Sequence, residues 1–197
     1  SYHAHNLTET FALAREQDRR YSQGLALWHE GSSAGVFRPQ LHGAEHLQVR
    51  RWLRFIQQGN DLLERAAHHG MWGISAYATP KVEKSLQAAL HADNEEDRHF
   101  IAERISAALT EFEALFGYAS RTFTPANYTW FEALEPLLAN GGVRHLQSAS
   151  VQNLVQANGQ LQRVRAFTGQ RKASGLGLTV RNVYFEPSDE KQPEPVR

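Results

Sequence analysis

Short apolar runs alternate with amphipathic stretches along this chain, and that alternation limits the fold more than any other feature. Val36–Leu41, Met71–Ala76, Arg121–Thr124, Val143–Gln147 and Leu178–Phe185 have the length and β-branched or aromatic content of buried strands. Longer segments with apolar residues near a 3.6-residue period lie between them, and no repeat of fixed period occurs. Strands alternating with helices predict an α/β domain with a mainly parallel sheet. At 197 residues the chain is long enough for one domain with a real core and short for two. Residues 1–187 read as that domain and 188–197 as a Pro-rich polar tail.

The helical segments can be placed from their periodicity and punctuation. Tyr21–Ala34 reads as a helix stopped by Gly35, and Thr8 as a cap near the polar entry. His46–Gln58 is the clearest: Leu47, Trp52, Leu53 and Ile56 share a face, with Arg50, Arg51 and Arg54 facing outward. Gly59-Asn60 breaks it, Asp61 caps Leu62–His68, and Gly70 ends that helix. His91–Asp97 reads as a polar loop before a long helix, Arg98–Phe116, and a further helix spans Trp130–Leu138. Asn158-Gly159 between two alternating runs predicts a hairpin. Pro39 inside the first strand implies an edge or strand-end position. Trp28, Trp52 and Trp72 are expected in the core.

Composition excludes several classes. Lysine plus arginine equals aspartate plus glutamate at 21 each, so charge gives no reason to expect a nucleic-acid or anionic-membrane surface. No apolar run approaches the 18 or so residues of a membrane span, and the first residues are not signal-like. Cysteine is absent, which rules out disulfides and thiolate metal sites and leaves localisation open. No G-x-S-x-G, G-x-G-x-x-G or G-x-x-x-x-G-K-[ST] supports a serine hydrolase or a nucleotide site.

Any metal would therefore rest on His, Asp and Glu, and the chain carries ten histidines. His42 and His46 flank Gly43 at a strand-to-helix junction. With the helix begun by Gly43, both imidazoles leave one face about a turn apart, an arrangement that offers two neutral nitrogens to a divalent metal. On the residues alone the same pair more readily caps a helix and bonds backbone groups. Glu45 is either a further ligand or base, or a charge favoured by the helix dipole. His3 and His5 form an H-x-H with no apolar strand before it. His42, Ser75, Asn127, Ser148 and Asn182 fall at predicted C-terminal strand ends, where α/β folds gather function. Asn127, Tyr128 and Trp130 could line a sugar groove, with Trp130 alternatively in the core. Arg171 and Lys172 beside a glycine loop could meet an anionic sugar or simply face solvent.

The runs FRPQLHGAEH, FTPANYTWFEALEPLLANGGVRHLQ and LTVRNVYFEPS, taken in order across residues 20–188, resemble the polysaccharide deacetylase-like family of (β/α)-barrel hydrolases. His42 and His46 match its H-x-x-x-H metal motif, and Pro125–Tyr128 its strand-end motif. The resemblance implies an incomplete (β/α) barrel and a divalent metal, zinc by type, held by two histidines and an aspartate. It also implies an N- or O-acetylated carbohydrate substrate, attack by metal-activated water, and proton transfer by an aspartate and a late-strand histidine. The paired aspartates expected on a first strand and the histidine of a last strand do not occur, and Phe123 stands where the family carries arginine. Third ligand, base and acid are thus unassigned. The chain is expected to be either a fragment or a shortened relative. The shortened form could act as a non-catalytic carbohydrate-binding or assembly module, with the open barrel edge completed by a second copy or a partner strand.

Overall fold

The computed structural model describes residues 19–74 and 84–181. Among them the chain forms α1 (Arg19–Ser33), α2 (Val49–Gln57), α3 (Asp61–His68) and α4 (Glu95–Phe116), then β1 (Thr122–Phe123) and β2 (Thr129–Trp130). α5 (Glu135–Asn140), β3 (His145–Ser148), β4 (Val151–Val155), β5 (Leu161–Arg165) and β6 (Gly177–Val180) follow. The architecture is mixed α/β with two small sheets. In the first, β1, β3 and β6 run parallel in that order, and Leu41 adds a parallel bridge beside Phe123. In the second, β2 pairs parallel with β4, and β4 pairs antiparallel with β5. The described residues do not close into a barrel.

Strand periodicity organises the first sheet. Its register places Leu41, Phe123, Leu146 and Leu178 in one row across four neighbouring passes of chain. All four are buried and pack with Ile101, Ile105, Ala108 and Phe112 of α4 and with Leu138 of α5. Successive strand residues point to opposite faces. The flanking rows, Gln40–Thr122–His145–Gly177 and His42–Thr124–Gln147–Thr179, therefore share the other face, and apart from Gly177 their members are exposed or half-exposed. One face thus supplies the hydrophobic driving force, and burying a side chain such as Phe123 contributes about 1.5–3 kcal/mol. The opposite face is polar.

A second cluster of Leu47, Trp52, Leu63, Ala66 and Leu86 holds α2 against α3. It is fixed to the main core by charge. Arg50, Arg51 and Arg54 do not face outward as their helical phase predicts. Arg51 is buried, forked onto Asp93 at 2.7 and 2.9 Å, and Arg50 and Arg54 bond the fully buried Asp97. Long arginine stems cover apolar surface while their heads reach acids on a distant segment. Helical phase does not reveal that.

Several boundaries move for identifiable reasons. α2 begins at Val49, not near Gly43 or His46, because Gln48 caps it, accepting from the Arg51 N–H at 2.7 Å. Asn60, not Asp61, caps α3 through the Leu63 N–H. α4 starts at Glu95, where Asn94 accepts from the Asp97 N–H, and three acidic residues in the first turn suit the helix dipole. Trp130 lies in β2, and the following helix is the shorter α5. Trp52 is buried as expected. Trp28 is not: it stacks on Phe116 with ring centres 5.8 Å apart and stays half exposed on α1. The Asn158-Gly159 hairpin joins β4 and β5 as expected. Gly159 has φ +75°, and a Cβ there would meet the Asp93 carbonyl oxygen at 2.7 Å. Thr8, His3, His5, Ser75, Asn182 and the 188–197 tail lie outside the described residues. No described helix is long and apolar enough to cross a membrane.

Candidate functional site

His42 and His46 do meet, by a different route from a shared helix face. Both lie in irregular chain between the Leu41 bridge and α2. Gly43, at φ +105°, turns the backbone where another residue would be strained. The two rings are exposed, with centres 5.2 Å apart and planes inclined at 50°. His42 Nδ1 sits 2.6 Å from the Thr124 carbonyl oxygen. A carbonyl only accepts, so Nδ1 carries the hydrogen and the Nε2 lone pair of the neutral ring is left for a ligand. That anchoring by a backbone carbonyl is how metal-binding histidines are commonly oriented.

Donor chemistry and spacing fit a divalent ion. Zinc–nitrogen bonds of about 2.0–2.1 Å, with roughly 1.1 Å from nitrogen to ring centre, put two imidazoles on one tetrahedral ion about 5.2 Å apart. Glu45 is not a third donor: Arg104 holds its carboxylate in a fork, the closest contact being 2.8 Å. Its charge is therefore spent on Arg104 of α4. Among the described residues no group of three His, Asp or Glu side chains stands close enough to share an ion. Two imidazoles alone would hold an ion weakly and leave its remaining positions open.

The surroundings are polar. His42 is level with Thr124, Gln147 and Thr179 along the C-terminal edge of the parallel strands. Thr124 Oγ1 donates to Gln147 Oε1 at 3.1 Å, which fixes the amide orientation. Ser148, next on β3, is fully buried, and its hydroxyl has no partner among the described residues. The sequence reading misses Thr124, Gln147 and Thr179, although their alternation with Phe123, Leu146 and Leu178 is a period-2 signal that could have found them.

Asn127 and Tyr128 occupy the loop after β1, both with φ +51°. Left-handed backbone is tolerable for asparagine and costs about 1 kcal/mol or more for tyrosine. Asn127 is exposed, its amide donating to Ser85 Oγ at 3.2 Å. Tyr128 is half-buried and accepts from Arg181, just past β6, at 3.4 Å. Trp130 must be corrected: it is fully buried and donates through Nε1 to Glu135 at 3.0 Å, so no ring face is open to a sugar. Lys172 is likewise committed, lying 3.3 Å from the buried Glu135 carboxylate. Arg171 is exposed and donates to the Gly175 carbonyl.

Comparison of the chain with known protein families, with characterised proteins and with solved structures finds no match in any of the three.

Proposed function

We propose that this chain forms part of a metal-dependent carbohydrate deacetylase-like hydrolase whose divalent ion, zinc by donor chemistry, is held by His42 and His46. One observation carries the reading. Two exposed imidazoles lie at the spacing of co-ligands, the first oriented by a backbone carbonyl, at the C-terminal edge of parallel strands. A divalent ion there supplies Lewis acidity and an acidified water, the chemistry that hydrolysis of an acetamide or acetate ester requires. The chain's own contribution is positional. Thr124 holds the His42 ring, Gln147 and Thr179 line the adjacent polar face, and Asn127 and Tyr128 offer amide and phenol edges suited to sugar hydroxyls. Four parallel passes with helices on one face and polar side chains on the other support the finer reading of a partial (β/α)-barrel wall.

A second reading has its own support. The row of hydroxyl and amide groups on the open face is the lining of a carbohydrate-binding or assembly module that needs no metal. The His42→Ala, His46→Ala double variant separates the two. Wild-type protein dialysed against zinc should retain the ion by elemental analysis, and the double variant should lose it without change in far-UV circular dichroism, since both side chains are exposed. Zinc retained by the variant would refute the assignment. Binding of acetylated oligosaccharide that survives chelation, with no acetate released, would favour the module.

A further inference from the structure

A polar concavity built from arginine lies at the N-terminal end of the parallel strands, opposite His42. A cavity of about 380 Å³ is lined by Arg38, Tyr118, Ala119, Arg121, Gly142 and Arg144. A neighbouring one of about 510 Å³ shares Arg38, Ala119 and Arg121 and adds Gln40 and Thr122. Arg121 and Arg144 are joined through their backbones, the Arg144 N–H donating to the Arg121 carbonyl at 2.8 Å, so two guanidinium stems start from adjacent strands. None of the ion pairs among the described residues includes Arg38, Arg121 or Arg144. By contrast, Arg50, Arg51, Arg54 and Arg104 all meet carboxylates.

We propose that this cavity binds a phosphate group, as the free dianion or as a phosphate monoester. Two of the cations are held ready. The Arg38 guanidinium lies 4.1 Å from the centre of the Tyr118 ring, and the Tyr118 hydroxyl donates to the Pro39 carbonyl at 2.7 Å. Arg144 Nη1 donates to the Ala139 and Val143 carbonyls at 3.1 and 3.0 Å, leaving Nε and Nη2 for a ligand. Arg121 makes no side-chain bond to a described residue, is exposed, and lines both cavities.

A purely structural role accounts for part of this charge and not for all of it. The C-termini of α4 and α5 point to this end, and Arg144 bonds the last turn of α5. Each helix C-terminus carries roughly half a negative charge, so two of them offset about one of the three cations. About two positive charges remain, the complement of a phosphate dianion. A single carboxylate would leave one uncompensated. Guanidinium forks also match the geometry of phosphate oxygens. The site lies at the other end of the strands from His42 and does not depend on any role for the histidines.

The test is titration calorimetry at low ionic strength with inorganic phosphate, with hexose 6-phosphate and with acetate, on the full chain. The expected result is 1:1 phosphate binding, weakened at least tenfold in Arg121→Gln and unchanged in Arg163→Gln, an exposed arginine on β5. Arg121 is exposed and its side chain makes no hydrogen bond or ion pair to a described residue, so the fold of Arg121→Gln should persist, as circular dichroism would verify. Tighter binding of hexose 6-phosphate than of phosphate would place the sugar in the adjoining cavity. Equal affinities would identify the free ion as the ligand. Acetate binding as tightly as phosphate, equal losses in the two arginine variants, or no phosphate binding at millimolar concentration would overturn the proposal.

Discussion

Asp97→Asn is the most informative single perturbation of the fold, because it removes a charge and almost no volume. Asp97 is fully buried and accepts from Arg50 Nε at 2.9 Å, from Arg54 at 2.7 and 2.9 Å, and from the Asp93 N–H at 3.0 Å. Breaking a sealed ion pair by removing one partner costs about 3–5 kcal/mol. Here the two arginines are each 31% exposed, and Asp93 still bonds Arg54 at 2.6 Å. Water and Asp93 recover part of the loss, so about 2–3 kcal/mol should remain. At this chain length that corresponds to a fall in Tm of about 4–12 °C, read by calorimetry or urea denaturation. The comparison variant is Glu96→Gln, whose carboxylate also meets Arg50, at 2.6 Å, but is 79% exposed. Its removal should cost under about 1 kcal/mol. Equal effects of the two variants would refute the claim that burial, not pairing alone, gives the network its strength.

Two further outcomes follow from the same region. His91 is buried, its Nε2–H donating to the Gly159 carbonyl at 2.9 Å; burial, aided by Arg51, pushes its pKa down. The folded state therefore holds a neutral imidazole, and stability present above the unfolded pKa of about 6.5 declines as pH falls below it. Asp93 and Asp97 are buried, which by itself raises a carboxyl pKa, yet bonds from Arg51 and Lys84 to Asp93, and from Arg54 to Asp97, hold both below the usual carboxylate range. Their stability is present above about pH 4 and is lost as pH falls further. Urea midpoints should thus drop in two stages, and His91→Gln should flatten the first stage alone; a wild-type profile flat from pH 7 to 5 would contradict this. Gly159→Ala places a Cβ 2.7 Å from the Asp93 carbonyl oxygen at a backbone φ of +75°. It should cost about 1–3 kcal/mol by chemical denaturation, against a neutral effect if the hairpin can slide away from Asp93.

What the sequence determined was local. The alternation of Phe123, Leu146 and Leu178 with polar neighbours assigns them to one buried face, and Asn158-Gly159 fixes the hairpin, because strand period and turn chemistry act over a few residues. The nearness of His42 and His46 was also legible, since three intervening residues including a glycine hold the rings together. Tertiary structure decided everything that depends on a distant partner. Glu45 is claimed by Arg104, 59 residues away, and Arg51 by Asp93, 42 residues away, so neither side chain plays the part its local position suggested. Trp130 is buried, because the strand pairing of β2 with β4 turns it inward onto Glu135. The arginine-lined cavity is the extreme case: Arg38, Arg121 and Arg144 share no local motif and meet because parallel strands begin at one end of the sheet. Periodicity fixes which face a side chain takes, but the charge or ligand opposite it is fixed by the packing of segments far apart in the chain.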